Sequence, residues 1–241
     1  MCGKLIVIEG LDGCGKNTQT DLLVRYLESK NQKVKHLSFP NYNSPYSSLV
    51  KMYLNSEFGR NPEEINPYAV SSFFAIDRFT DYCKEWKEFY ENDYIIVCDR
   101  YTTSNAIYQM CKLEQNSWDE YLKWLYDYEY CKLKIPKPDM VIYLRGNIEI
   151  SQNLLKERYH GDTSKKDFHE SNILFLEKCE KAADYVSKKD GWLEVECCKS
   201  GRMESVEEIH EKILKLLEGG AKWNLNFTNL SLKTKQNSIK Q

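Results

Sequence analysis

Leu5-Ile6-Val7-Ile8-Glu9-Gly10-Leu11-Asp12-Gly13-Cys14-Gly15-Lys16-Asn17-Thr18 is the stretch that decides the fold class. It opens on an apolar run of strand length. Three glycines then permit a tight turn, and Leu22, Leu23, Tyr26 and Leu27 follow at helical spacing, so a helix is expected from about 15 to 30. A strand, glycine loop and helix in this order point backbone N–H groups at a phosphate chain, with the helix N-terminus facing the anion and Lys16 within reach of terminal phosphates. The pattern G-x-x-x-x-G-K-[ST] holds from Gly10 to Lys16 and departs at Asn17, where the magnesium-binding hydroxyl belongs. The Asn17 amide oxygen or the Thr18 hydroxyl are the available replacements.

Further apolar runs suited to strands are Val34 to Phe39, Tyr94 to Cys98, Met140 to Leu144 and Trp192 to Val195. With Leu5 to Ile8 they make five strands separated by helical patterns, which predicts an α/β fold with three layers: a central parallel sheet flanked by helices. Ligands in such folds gather at the C-terminal strand ends. Pro62 and Pro67 bracket a turn before Tyr68 to Tyr90, whose Phe73, Phe74, Ile76, Phe79, Trp86 and Phe89 suit helices with a mostly buried aromatic face. Pro136 and Pro138 end a helical segment and precede the fourth strand. Ser205 to Leu217 reads as a closing amphipathic helix. One domain is expected over 1–218, with a charged, mobile lid at about 157–167 and a polar tail over 219–241.

Forty-one per cent hydrophobic content in 241 residues is enough for one substantial core. Basic and acidic side chains nearly balance, 34 against 36, and there is no Lys/Arg block, which disfavours a nucleic-acid polymer or a membrane surface as partner. No stretch approaches the ~18 apolar residues of a membrane span. The nine cysteines lack metal-ligand spacing and fit a reducing cytoplasm, most of them buried as small hydrophobes. Zinc is not expected, and His36, His160, His169 and His210 form no ligand cluster.

A second cluster follows the third strand: Cys98-Asp99-Arg100-Tyr101-Thr102-Thr103-Ser104. A strand-end aspartate beside a phosphate loop can organise magnesium, and the adjacent arginine can grip a phosphate in a forked geometry. Asp12 sits inside the loop, where two substrates would meet. Arg78 lies in an aromatic helix and needs either an anionic ligand or a structural salt bridge.

These motifs resemble the thymidylate kinases of the nucleoside monophosphate kinase group. The resemblance rests on Glu9 to Gln19, Phe39-Pro40, Phe74-Ala75-Ile76-Asp77-Arg78, Asp99 to Gln109 and Pro138-Asp139, and covers roughly residues 3–217. It implies a P-loop NTPase-type fold and ATP-dependent phosphorylation of dTMP to dTDP in pyrimidine deoxynucleotide synthesis, by a cytoplasmic homodimer that uses magnesium. It places the loop residues Gly10, Leu11, Asp12, Gly13, Cys14, Gly15, Lys16, Asn17 and Thr18 on ATP. Asn17, Thr18 and Asp99 fall near the metal, and Phe74 on the thymine ring. Arg78 and Arg100 fall on the acceptor phosphate, Asp12 and Tyr108 near the deoxyribose, and Asn105 on the base. Phe39, Pro40 and, farther along, Tyr42 line the acceptor pocket. Catalysis then falls to Asp12, Lys16, Asp99 and Arg100, joined by a basic lid residue, Arg158 ahead of Lys165 and Lys166.

Beyond Asn17, two positions depart from the family pattern. Arg145 follows the fourth strand where relatives carry an acidic or neutral residue, and Leu154 falls where a nucleotide-contacting arginine is common. Two other readings stay open at this point: a related nucleoside or nucleotide kinase with another base preference, and a nucleotide-binding regulatory module without turnover.

Overall fold

The computed structural model describes residues 2–158 and 172–219. Five strands form its main sheet: β1 (Lys4–Gly10), β2 (Val34–Ser38), β3 (Ile95–Asp99), β4 (Met140–Arg145) and β5 (Leu193–Glu196). Their order is β2-β3-β1-β4-β5 and every pairing is parallel. β1 occupies the centre because it is apolar on both faces, as a strand covered from both sides must be. Its Ile6 and Ile8 point into one layer with Leu23, Leu27, Ile209 and Ile213, while Leu5 and Val7 point into the other with Trp86, Ile96 and Tyr101.

The first layer contains α1 (Lys16–Ser29) and α9 (Val206–Gly219). Ser205 and Glu208 close a reciprocal capping box at the start of α9: Ser205 N donates to Glu208 Oε2 (2.9 Å), and Glu208 N donates to Ser205 Oγ (3.2 Å). The other side holds α2 (Ser48–Leu54), α3 (Pro67–Asp81), α4 (Lys87–Glu91), α5 (Thr102–Tyr108), α6 (Trp118–Tyr126) and α8 (Ile173–Asp190). α7 (Ile148–Arg158) follows β4. Asn66 caps α3 by accepting from Tyr68 N and Ala69 N, with Pro67 at the first helical position.

The aromatic segment is two helices joined by a π-helical turn over Tyr82–Trp86. The expectation of a mostly buried face holds fully only for Trp86; Phe73, Phe74, Phe79 and Phe89 are half-buried and Ile76 is 43% exposed. The reason is local, since α3 lines a cavity on one side and meets solvent on the other. A short antiparallel ribbon, Cys198–Lys199 with Arg202–Met203, was not legible as strands because each arm is only two residues long. Five of the nine cysteines are buried, and all nine are free thiols.

Candidate active site

Three loops leave the C-terminal sheet edge side by side: Gly10 to Lys16 after β1, Phe39 to Tyr42 after β2, and Arg100-Tyr101 after β3. They surround one cavity of about 390 Å³, a volume suited to a small ligand. It is lined by Asp12, Gly13, Gly15, Lys16, Asn17 and Thr18 from the first loop, by Phe39, Pro40 and Tyr42 from the second, by Asp99 and Arg100 at the third, and by Phe74, Arg78, Asn105 and Tyr108 from the helices. Nearly every site residue expected from the sequence therefore meets in one place.

The loop geometry explains its glycines. Gly15 caps α1 in the left-handed region (φ 87°) with no side-chain bond, so the first-turn N–H groups stay available to an anion. Gly13 is also left-handed (φ 82°), and a Cβ there would lie 2.8 Å from the Ser151 carbonyl oxygen on α7. Gly10, Leu11 and Cys14 do not line the main cavity. Cys14 turns inward, 1% exposed, and packs beneath the loop, where burial raises its thiol pKa.

Asp12 organises the charges. It accepts from Arg100 Nη2, from Lys16 Nζ (3.4 Å) and from the Tyr108 hydroxyl (3.0 Å). Lys16 Nζ also donates to the Leu11 carbonyl (3.0 Å). Burial and the Arg100 charge both oppose the Lys16 ammonium, and the carboxylates of Asp12 and Asp99 help hold its pKa above the ordinary lysine value. Tyr108 titrates well above its usual range through burial, so its hydroxyl remains a donor.

Arg100 takes a left-handed backbone (φ 67°), a strain of about 1 kcal/mol or more in a residue other than glycine. Its amide donates to Ile8 O (3.1 Å), and its guanidinium reaches Ser104 Oγ (3.3 Å) and Glu9 Oε1 (3.6 Å) besides Asp12. Glu9, fully buried, also accepts from Thr103 Oγ1 (2.6 Å), Ser104 Oγ (2.8 Å) and Gly10 N (2.9 Å), tying the phosphate loop to the start of α5.

Asp99 is 8% exposed and its Oδ1 has no hydrogen-bond partner. An orphaned carboxylate oxygen facing the loop is costly without a cation. Asn17 and Thr18, which line the same cavity, offer neutral oxygens, and with Asp99 make a donor set suited to magnesium carried in with a polyphosphate. Among the described residues there is no cluster of three or more His, Cys, Asp or Glu side chains able to hold a metal by itself.

Arg78 lines the cavity, as expected, and is also half of a buried ion pair. Its Nε and Nη2 donate to Glu129 Oε2 (2.7 Å) and Oε1 (2.6 Å), a buried bidentate pair. The structural salt bridge left open by the sequence is thus present, and its anionic partner was unforeseen because Glu129 lies 51 positions away. Glu9, Glu129, Ser38, Leu54, Ser104 and Gln109 were likewise not singled out; the last four line the cavity. The loop at Asn41 is held by Asp77, which accepts from Asn41 N (3.3 Å), and by Asp81, which accepts from Asn41 Nδ2 (2.8 Å); burial pushes the Asp77 carboxyl up to about 6. Leu154 is 37% exposed on α7, and Arg145 is the last residue of β4, surrounded by Asp184, Glu194 and Glu196. Of the lid expected at 157–167, residues 159–167 lie outside the described residues, Lys165 and Lys166 among them, as do the side chain of Arg158, which ends α7, and the tail beyond 219.

A thymidylate kinase family model matches residues 8–213, spanning all three cavity loops. The chain belongs to the thymidylate kinase family. Among related thymidylate kinases, that of Plasmodium falciparum is 30% identical over 88% of this chain and 89% of its own length. A probable thymidylate kinase of Pyrococcus abyssi is 26% identical over 90% of this chain and 97% of its own. The solved structure of Candida albicans thymidylate kinase superposes with a TM-score of 0.65 at 22% identity, covering 90% of this chain and 92% of that one, and supports the P-loop fold. The reaction of a thymidylate kinase is ATP-dependent phosphorylation of dTMP to dTDP, and neither a shifted base preference nor loss of turnover is favoured.

Proposed function

We propose that the cavity aligns the two substrates end to end: ATP phosphates on the loop amides and Lys16, and dTMP with its phosphate at Arg100, its sugar beside Asp12 and Tyr108, and its base against Phe74 and Asn105. The observation that carries this assignment is the continuity of one cavity from Lys16 to Asn105. Transfer then needs alignment, exclusion of water and neutralisation of charge on the moving group, which Lys16 and Arg100 are positioned to provide. No general base is assigned, because a phosphate oxygen of dTMP is itself the nucleophile. Phe39 and Pro40 wall the acceptor side, with Tyr42 at its exposed end. Arg158 is proposed as a basic contribution from the lid.

Magnesium supplies neutralisation of the phosphate oxygens when bound, and Asp99 with Asn17 or Thr18 would hold it or its waters. Two variants test that assignment. Asp99→Ala is expected to lower kcat about 100-fold, with partial recovery as magnesium is raised and little change in KM for dTMP. Loss confined to the KM for dTMP would contradict it. Asn17→Thr restores a usual ligand and is expected to keep or raise kcat at equal or lower magnesium requirement. A large loss in kcat with an unchanged melting temperature would show instead that the amide has a different role.

The proposal extends to a cytoplasmic homodimer. Nine free thiols support a reducing compartment, and the family resemblance supports the homodimer.

A further inference from the structure

Glu129 is fully buried behind the cavity and takes no part in the proposed phosphoryl transfer. Its carboxylate accepts hydrogen bonds from Arg78, Thr102 and Asn105. Oε2 accepts from Arg78 Nε and Thr102 Oγ1, each at 2.7 Å, and Oε1 accepts from Arg78 Nη2 (2.6 Å) and Asn105 Nδ2 (3.3 Å). Asn105 Nδ2 also donates to the backbone carbonyl of Ser71 (3.2 Å). A carbonyl and a carboxylate bound to arginine offer lone pairs only, so the amide must turn its NH2 toward them. Turned the other way, Asn105 Oδ1 would face two oxygens in a buried site. The orientation is therefore set by chemistry, and Oδ1 is directed at the cavity that Asn105 lines. Arg78, which also lines that cavity, is fixed by the same carboxylate, and its Nη1 is left outside the pair, donating to the Tyr101 carbonyl at a long 3.4 Å.

We infer that Glu129 is a specificity-determining positioning residue, which sets an acceptor (Asn105) beside a donor (Arg78) and so selects bases with a keto–imino edge over bases with an amino edge. Thymine and uracil offer the complementary pair, a carbonyl acceptor beside an N–H donor. Cytosine offers the reverse at the same two positions, an amino donor beside an unprotonated ring nitrogen. A buried polar pair left facing its own kind is a strong source of rejection, since neither group recovers the hydrogen bond it gave up with water. The inference rests on the proposed placement of the base at Phe74 and Asn105.

The test uses dUMP and dCMP, which match in size and differ in that edge. With the full-length protein, ATP and magnesium, kcat/KM for dUMP is expected to exceed that for dCMP by about 100-fold or more; equal values would overturn the inference. Glu129→Gln keeps the shape but supplies one oxygen and one NH2. With Arg78 claiming the oxygen, the new NH2 meets that of Asn105, donor against donor, and the Asn105 amide and Arg78 lose the acceptor that fixes them. The dUMP/dCMP ratio is then expected to shrink at least tenfold, whereas equal losses for both nucleotides would mark a merely structural role and overturn it. Asn105→Ala separates the two claims. If it leaves the ratio intact, the base placement itself fails; if it collapses the ratio while Glu129→Gln does not, only the role of Glu129 fails. Should Glu129→Gln not fold by thermal melting, hydrogen exchange in the wild-type protein decides: slow exchange of the Asn105 side-chain NH2 is expected, and exchange at the solvent rate overturns the orientation.

Discussion

Arg100→Ala is expected to lower kcat/KM for dTMP about a thousandfold, through both a higher KM and a slower kcat. The magnitude follows from removing a preorganised charge aimed at a phosphate in a water-poor site. Arg100 is held by Asp12, Glu9, Ser104 and its own left-handed backbone, so little reorganisation remains at the moment of reaction. Truncation also strands the buried Glu9 carboxylate, whose remaining donors are hydroxyls and one amide. A stability loss of a few kcal/mol is therefore expected alongside the kinetic one, read from denaturant unfolding. Arg100→Lys keeps the charge without the fork and should fall between, about 10- to 100-fold down. Steady-state kinetics on folded variants checks this; a change in kcat/KM below tenfold for Arg100→Ala would remove Arg100 from the acceptor site.

The parts of this site that could be read from sequence are those where one short segment carries both structure and chemistry. Gly10 to Thr18 predicts its own strand, loop and helix, because β1 is apolar on both faces and α1 begins at the glycine that leaves its amides open. Asp99 and Arg100 are legible for the same reason, being the last residue of β3 and the first beyond it. Phe39-Pro40 and Asn105 were placed through the family resemblance, and they line the cavity. What sequence could not show was pairing at a distance. Nothing around Glu129 marks it as the partner of Arg78, since an acidic residue in the run Asp127-Tyr128-Glu129-Tyr130 looks like a solvated helix face. Its burial follows from the π-helical turn over Asp127–Lys132 that turns it inward. Arg78 was accordingly assigned to a phosphate, the nearest anion that sequence reasoning could supply. Glu9 stood inside the quoted motif, yet its role as the clamp between the loop and α5 depends on Thr103 and Ser104, more than 90 positions away.

Deleting the acceptor phosphate tests the arrangement as a whole. Thymidine keeps the base and sugar but lacks the phosphate proposed to sit at Arg100, and it offers a hydroxyl in place of a phosphate oxygen as nucleophile. Its 5′ oxygen would also lie short of the transferred group by the length of the missing phosphate, so alignment is lost together with charge complementarity. By contrast, dUMP lacks only a methyl group, a difference of the order of 1 kcal/mol or about tenfold in kcat/KM. The decisive measurement is kcat/KM for dTMP and for thymidine with the same purified protein, ATP and magnesium. Turnover of dTMP to dTDP with thymidine at least a thousandfold poorer is the expected result; thymidine phosphorylated as well as dTMP would contradict a cavity organised around an acceptor phosphate at Arg100.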